Sequence, residues 1–108
     1  MELDNRVVLV TGAAVRIGKA IACELAGAGA QIVVHYSHHG PKAEETAREL
    51  RDRGARVLTV KADIASAGDV AAMFETIDRE FGRLDILVNN AAVFRRTPFP
   101  DFSEADWD

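Results

Sequence analysis

The stretch Val7-Val8-Leu9-Val10-Thr11-Gly12-Ala13-Ala14-Val15-Arg16-Ile17-Gly18-Lys19-Ala20-Ile21-Ala22 changes its hydrophobic period in mid-course. Its first residues are aliphatic and nearly continuous, as in a strand covered on both faces. Further on, Ile17, Ile21, Leu25 and Ala28 recur on one face of a helix. Gly12 permits a tight turn between the two. The small Ala13 and Ala14 let a phosphate approach the backbone, and Gly18 lets the helix pack closely on the strand. The free N–H groups of such a helix end attract a pyrophosphate. Taken alone, the segment reads equally well as an ordinary glycine-rich strand-to-helix turn.

The same rhythm continues. Residues 31–35, 56–60 and 84–89 are short, apolar runs like residues 6–11. Between them lie helical patterns. Pro41 suits a first turn, and Ala43, Ala47 and Leu50 share the face that follows, before Gly54. Ser66-Ala67-Gly68-Asp69 has capping-box spacing, ahead of Val70, Met73, Phe74, Ile77 and Phe81 and a closing Gly82. Ser103-Glu104-Ala105-Asp106 announces a fourth helix. The pattern βαβαβαβ implies a parallel sheet with right-handed crossovers, in the doubly wound order 3-2-1-4. Ligands then bind beyond the carboxyl ends of strands 1 and 4.

The strand ends are therefore the residues to read. After strand 2 stands His35-Tyr36-Ser37-His38-His39-Gly40. An acid here would accept bonds from the adenine ribose and select NAD. There is none. Hydroxyls, histidines and nearby Arg16 are suited to a 2′-phosphate instead, which points to NADP (NADPH). The plain alternative for His38 and His39 is a solvated loop, and no metal site is expected. Asp63 and Ile64 follow strand 3. Asn89-Asn90-Ala91-Ala92 follows strand 4, where paired Asn can bridge neighbouring loops.

Composition sets the outer limits. The 108 residues are enough for one domain, and 48% apolar with 28% charged is a globular composition. Net charge is −4, and Asp101, Glu104, Asp106 and Asp108 account for the imbalance. No basic stripe suggests nucleic acid, and no apolar run approaches the ~20 residues of a membrane span. The acidic start does not read as a secretion signal. The single Cys23 cannot form an internal disulfide, which fits a cytoplasmic location.

Together, Thr11-Gly12…Gly18, Asp63 and Asn89-Asn90-Ala91-Ala92 resemble the short-chain dehydrogenase/reductase family, from residue 6 to the end. The resemblance implies an NAD(P)-binding Rossmann sheet, of which the chain carries the first four strands. It departs from the family pattern at Arg16, where a second Gly is usual, and at Ala92, where Gly is usual. Thr-Gly-x(3)-Arg-x-Gly is similar to the pteridine reductase branch, which uses NADPH. By this resemblance Thr11 ties the first loop to the end of strand 4. Gly12, Arg16, Ile17 and Gly18 line the pyrophosphate and ribose. Tyr36, Ser37 and His38 surround the 2′-phosphate, and Asp63 and Ile64 hold the adenine. Asn90, Ala91 and Ala92 run along the nicotinamide ribose, and Phe94 stacks on a substrate ring or simply packs on the domain.

The family's proton donor is a Tyr with a Lys four residues on, beside a Ser and a fourth-helix Asn. Here Tyr36 is the sole tyrosine and position 40 is Gly. No catalytic residue is therefore expected within the chain. It reads as a domain at 1–108, the amino-terminal part of an NADPH-dependent short-chain oxidoreductase acting on a small molecule, truncated as helix four begins. No turnover is expected from it alone, and the dimer or tetramer interface of the family is expected to lie mostly beyond it. The alternative is a non-catalytic dinucleotide-binding module. For the substrate, a carbonyl or pterin-type ring stands beside a 3-oxoacyl thioester or a sugar.

Overall fold

Among the described residues, 3–14 and 16–90, the computed structural model alternates four strands with three helices. They are β1 (Val7–Val10), α1 (Arg16–Gly27), β2 (Gln31–Tyr36), α2 (Gly40–Asp52), β3 (Val57–Lys61), α3 (Ala67–Phe81) and β4 (Ile86–Val88). The sheet is parallel, in the order β3-β2-β1-β4. This is the expected doubly wound arrangement. The fourth helix, Ala91, Ala92 and Phe94 lie outside the described residues.

The two faces of the sheet carry separate cores. Val8, Val10, Ile32 and Val34 pack under α1 and α2 with Ala22, Ala43 and Leu50. Val7, Leu9 and Val33 pack under α3 with Met73 and Ile77. Residues two apart on a strand share a face, so continuous aliphatic runs feed both cores. Central β1 is buried throughout, whereas β3 and β4 at the margins are half-exposed.

α1 is rotated relative to its expected stripe. Gly18 and Ala22, four apart, face the sheet and are buried. Ile17, about 100° away from Gly18 around the helix, is 70% exposed. Leu25 and Ala28 pack at the margin of the core. α2 follows its pattern, with Ala43, Ala47 and Leu50 buried. At α3 the Ser66 hydroxyl accepts from the Asp69 amide at 3.2 Å, which is one half of the expected capping box. The other half differs, because the Asp69 carboxylate accepts from the Asp63 amide instead, at 2.9 Å. Gly82 ends α3 in the left-handed conformation at φ +72°.

At the amino ends of β1 and β4, the Asp85 carboxylate accepts from the Val7 amide at 2.8 Å and pairs with Arg83 at 2.7 Å. The Arg83 bond, followed by the Val7 amide, holds the Asp85 carboxyl below its ordinary value. No helix of the described residues is long and apolar enough to cross a membrane.

Candidate functional site

The carboxyl ends of β1, β2, β3 and β4 are bound to one another through the loop after β1. Thr11 is its anchor. Its hydroxyl donates towards Asn89 Oδ1 at 3.1 Å and accepts from the Asn90 amide at 2.8 Å. Its own amide donates to the Val88 carbonyl at 3.0 Å. The expected tie between the first loop and the end of β4 is thus made by one threonine. The Asn90 side chain adds a longer bond, 3.4 Å from Nδ2 to the Gly12 carbonyl.

Gly12 turns the chain at φ +65°, in the region that glycine adopts without steric cost. A Cβ added to Gly18 would drive into the Gly12 carbonyl oxygen and also press on Asn90 Nδ2. The glycine spacing is therefore a packing requirement, with the first turn of α1 resting directly on the loop. Ala13 and Ala14 are buried.

Arg16 begins α1 with φ +56°, an uncommon conformation for a residue with a side chain. The backbone here still has the geometry that suits a glycine, the residue usual at this place in the resembling family. Arg16 lines a small cleft of about 170 Å³ with Ala14, Lys19, Lys42, Glu45 and Thr46. Lys19 is paired with Glu49 at 3.0 Å, linking α1 to α2. The Thr46 hydroxyl donates to the Ala14 carbonyl at 2.9 Å, so α2 also braces the loop. Tyr36 and Ser37 are half-buried at the end of β2, and His38 is exposed beside His39. His39 caps α2 at φ +64° without a side-chain bond to the helix.

Across the sheet, Asp63 shapes the turn into α3. Its Oδ1 accepts from the Ala65 amide at 2.9 Å. Ile64 lines an apolar groove of about 230 Å³ with Thr11, Val70, Phe74, Leu87 and Asn89. Thr11, Gly12, Gly18 and Asn90 are thus brought into contact. Arg16 shares a cleft with α2, and Ile64 shares a groove with Thr11. Among the described residues no group of three or more His, Cys, Asp or Glu is placed to hold a metal ion.

Two further participants were not among the expected site residues. One is Thr46. The other is His35, fully buried on β2, whose Nδ1 accepts from the Gly12 amide at 3.0 Å while Nε2 lies 2.8 Å from the Ala62 carbonyl. A signal was present. His35 falls two residues after Val33 in an aliphatic strand, and a polar residue on a buried face needs partners.

Comparison with known proteins agrees with this geometry. The family model described as short chain dehydrogenase matches residues 6–108. The short-chain dehydrogenase/reductase homolog YusS of Bacillus subtilis is 39% identical over 108 residues, covering 100% of this chain and 99% of that protein. The hydroxynaphthalene reductase-like protein Arp2 of Metarhizium robertsii is 41% identical over 106 residues, covering 98% of this chain and 40% of that one. Among solved structures, a short chain dehydrogenase from Burkholderia cenocepacia in complex with NADP superposes with a TM-score of 0.82 at 34% identity, over 98% of this chain and 43% of its own. With strand order, loop and sequence in agreement, the chain belongs to the short-chain dehydrogenase/reductase family.

Proposed function

We propose that this chain is the NADPH-binding part of a short-chain reductase. The observation that carries the reading is the cleft at the start of α1, where Arg16, Lys19 and Lys42 outnumber Glu45, together with a β2 end whose sequence offers no carboxylate. A ribose-selecting acid is missing and fixed positive charge stands near its place, which favours a 2′-phosphate. The fit of a dinucleotide rests on the loop itself. Gly12, Ala13, Ala14 and Gly18 keep side-chain bulk away from the first turn of α1, so backbone can meet the pyrophosphate. Arg16, Tyr36, Ser37 and His38 would receive the adenosine 2′-phosphate, Asp63 and Ile64 the adenine, and Asn90, Ala91 and Ala92 the nicotinamide ribose. NADPH bound there supplies the reducing electron pair for a carbonyl or imine. The chain's own residues bind and orient it. The NADP complex of the Burkholderia relative supports the cofactor assignment.

For the substrate, a carbonyl on a flat ring is the reading we favour, with Phe94 as the stacking residue. The hydroxynaphthalene reductase-like relative supports it. Pterins belong to this class, and a 3-oxoacyl thioester or a sugar is the competing one. Sole Tyr36, with Gly40 four residues on, does not form the family's Tyr–Lys pair.

Fluorescence titration of the chain with NADPH and NADH tests the cofactor reading. Tenfold or greater preference for NADPH is expected, and equal affinity would overturn it. A second reading is a non-catalytic dinucleotide-binding module, and the YusS homolog, matched over 99% of its length, shows that a family member of this span exists. Both readings predict binding without turnover by these residues. Oxidation of NADPH by this chain in the presence of a ring ketone would sink that shared expectation.

A further inference from the structure

We propose that His35 is a positioning residue for the cofactor loop, its neutral ring bridging Ala62 and Gly12, so that gain of a second proton releases the loop and weakens dinucleotide binding. The inference rests on the dinucleotide reading above and adds to it a control by pH.

The bonds leave no choice of tautomer. The Gly12 amide is a donor, so Nδ1 must present its lone pair. The Ala62 carbonyl is an acceptor, so Nε2 must carry the proton. A second proton on Nδ1 would set one N–H against another across 3.0 Å, in a place with no solvent exposure. The His35 carbonyl also accepts from the Ala13 amide at 3.0 Å. One residue thus holds two consecutive amides of the loop, one through its side chain and one through its main chain. Gly12 is in turn the surface on which Gly18 and the first turn of α1 rest. Moving Gly12 moves the helix end that would meet the pyrophosphate.

Among the described residues, no charged side chain bonds the His35 ring. His35 shares its face of β2 with Val33, which packs with Met73 and Ile77 of α3. The loop after β1 brings Thr11 and Gly12, neither of them charged. The carboxylates that follow Ala62 in the β3–α3 connection, Asp63 and Asp69, are engaged with backbone amides there. Burial pushes the His35 pKa below its ordinary value, and the Ala62 carbonyl opposes this only in part. Protonation is thus resisted in the intact loop.

The test uses the 108-residue chain and NADPH between about pH 5.5 and 8, with His35→Asn and His35→Gln. Asn places an acceptor near the position of Nδ1 and does not titrate. Gln reaches towards Ala62 and leaves the Gly12 amide without its acceptor. The ligand's own phosphate is common to all three comparisons, so its titration cancels. The wild-type Kd is expected to rise by up to about tenfold per pH unit below the His35 pKa, beyond the slope of His35→Asn. At pH 8, His35→Asn should bind within threefold of wild type and His35→Gln at least tenfold more weakly. Without cofactor, nitrogen NMR of the wild-type chain should show the Nε2–H tautomer, with the Gly12 amide shifting in step with the His35 ring. Equal pH slopes for wild type and His35→Asn, or a Gly12 amide indifferent to the ring, would overturn the proposal alone. Wild-type chain that binds neither NADPH nor NADH at pH 8 would overturn the dinucleotide reading, and this proposal with it.

Discussion

The Asn90 amide donates to the Thr11 hydroxyl at 2.8 Å, joining residues 79 apart in sequence at the carboxyl edge of β1 and β4. The same hydroxyl donates towards Asn89 Oδ1, so one oxygen serves as both acceptor and donor. Thr11→Val keeps the shape and removes both functions. It should cost about 1–3 kcal/mol, the usual penalty of leaving partly buried polar groups unpaired. Thr11→Ser should recover most of that loss. Urea unfolding of the three proteins compares them directly, and a Val variant as stable as wild type would contradict the anchoring role.

Gly18 has no room for a side chain. In Gly18→Ala the new methyl meets the Gly12 carbonyl and Asn90, and backbone is costly to move. A loss of about 1–3 kcal/mol is expected, typical of overpacking, together with at least tenfold weaker NADPH binding. Gly27→Ala is the control, since a Cβ there meets nothing within 4 Å. Thermal melts should separate the two variants, and equal melting temperatures would refute the packing argument.

Arg16 holds a left-handed backbone at the start of α1. In Arg16→Gly the conformation at φ +56° becomes relaxed, so stability should hold or rise by up to about 1 kcal/mol. NADPH affinity should nevertheless fall about 10–100-fold, the worth of a charge-assisted contact, while NADH affinity changes little. Parallel melting and titration measure both quantities. A matching loss for NADH would show that Arg16 does not read the 2′-phosphate.

Acid should destabilise the fold in two stages. Unfolded His35 takes up a proton near pH 6.5, while burial makes the folded residue resist it. Stability is therefore complete above about 6.5 and declines as pH falls below that value. Asp85, held by Arg83 and the Val7 amide, keeps its charge below its ordinary value of 3.8. Its contribution is present above about 3.8 and is lost as pH falls through the lower folded value. Denaturation followed from pH 8 to 3 should show the first decline vanish in His35→Asn. The second should shrink in Asp85→Asn. Persistence of the first decline in His35→Asn would assign it to other groups.

The strand rhythm, the four-strand order and the loop after β1 were legible because local chemistry specifies them. Aliphatic runs must be covered on two faces, Gly12 and Gly18 answer steric demands within one short segment, and Ser66 and Gly82 mark the ends of α3 by their own side-chain and backbone preferences. Periodicity alone could not set the rotation of α1. The close seat of Gly18 on Gly12 turns Ala22 inward and leaves Ile17 outside, against the apolar stripe. The roles of His35, Thr46 and Asp85 depend on partners 27, 32 and 78 residues away. No local pattern encodes such pairings. They arise only when parallel crossovers bring distant strand ends within hydrogen-bond reach, and there burial makes each unpaired donor or acceptor costly.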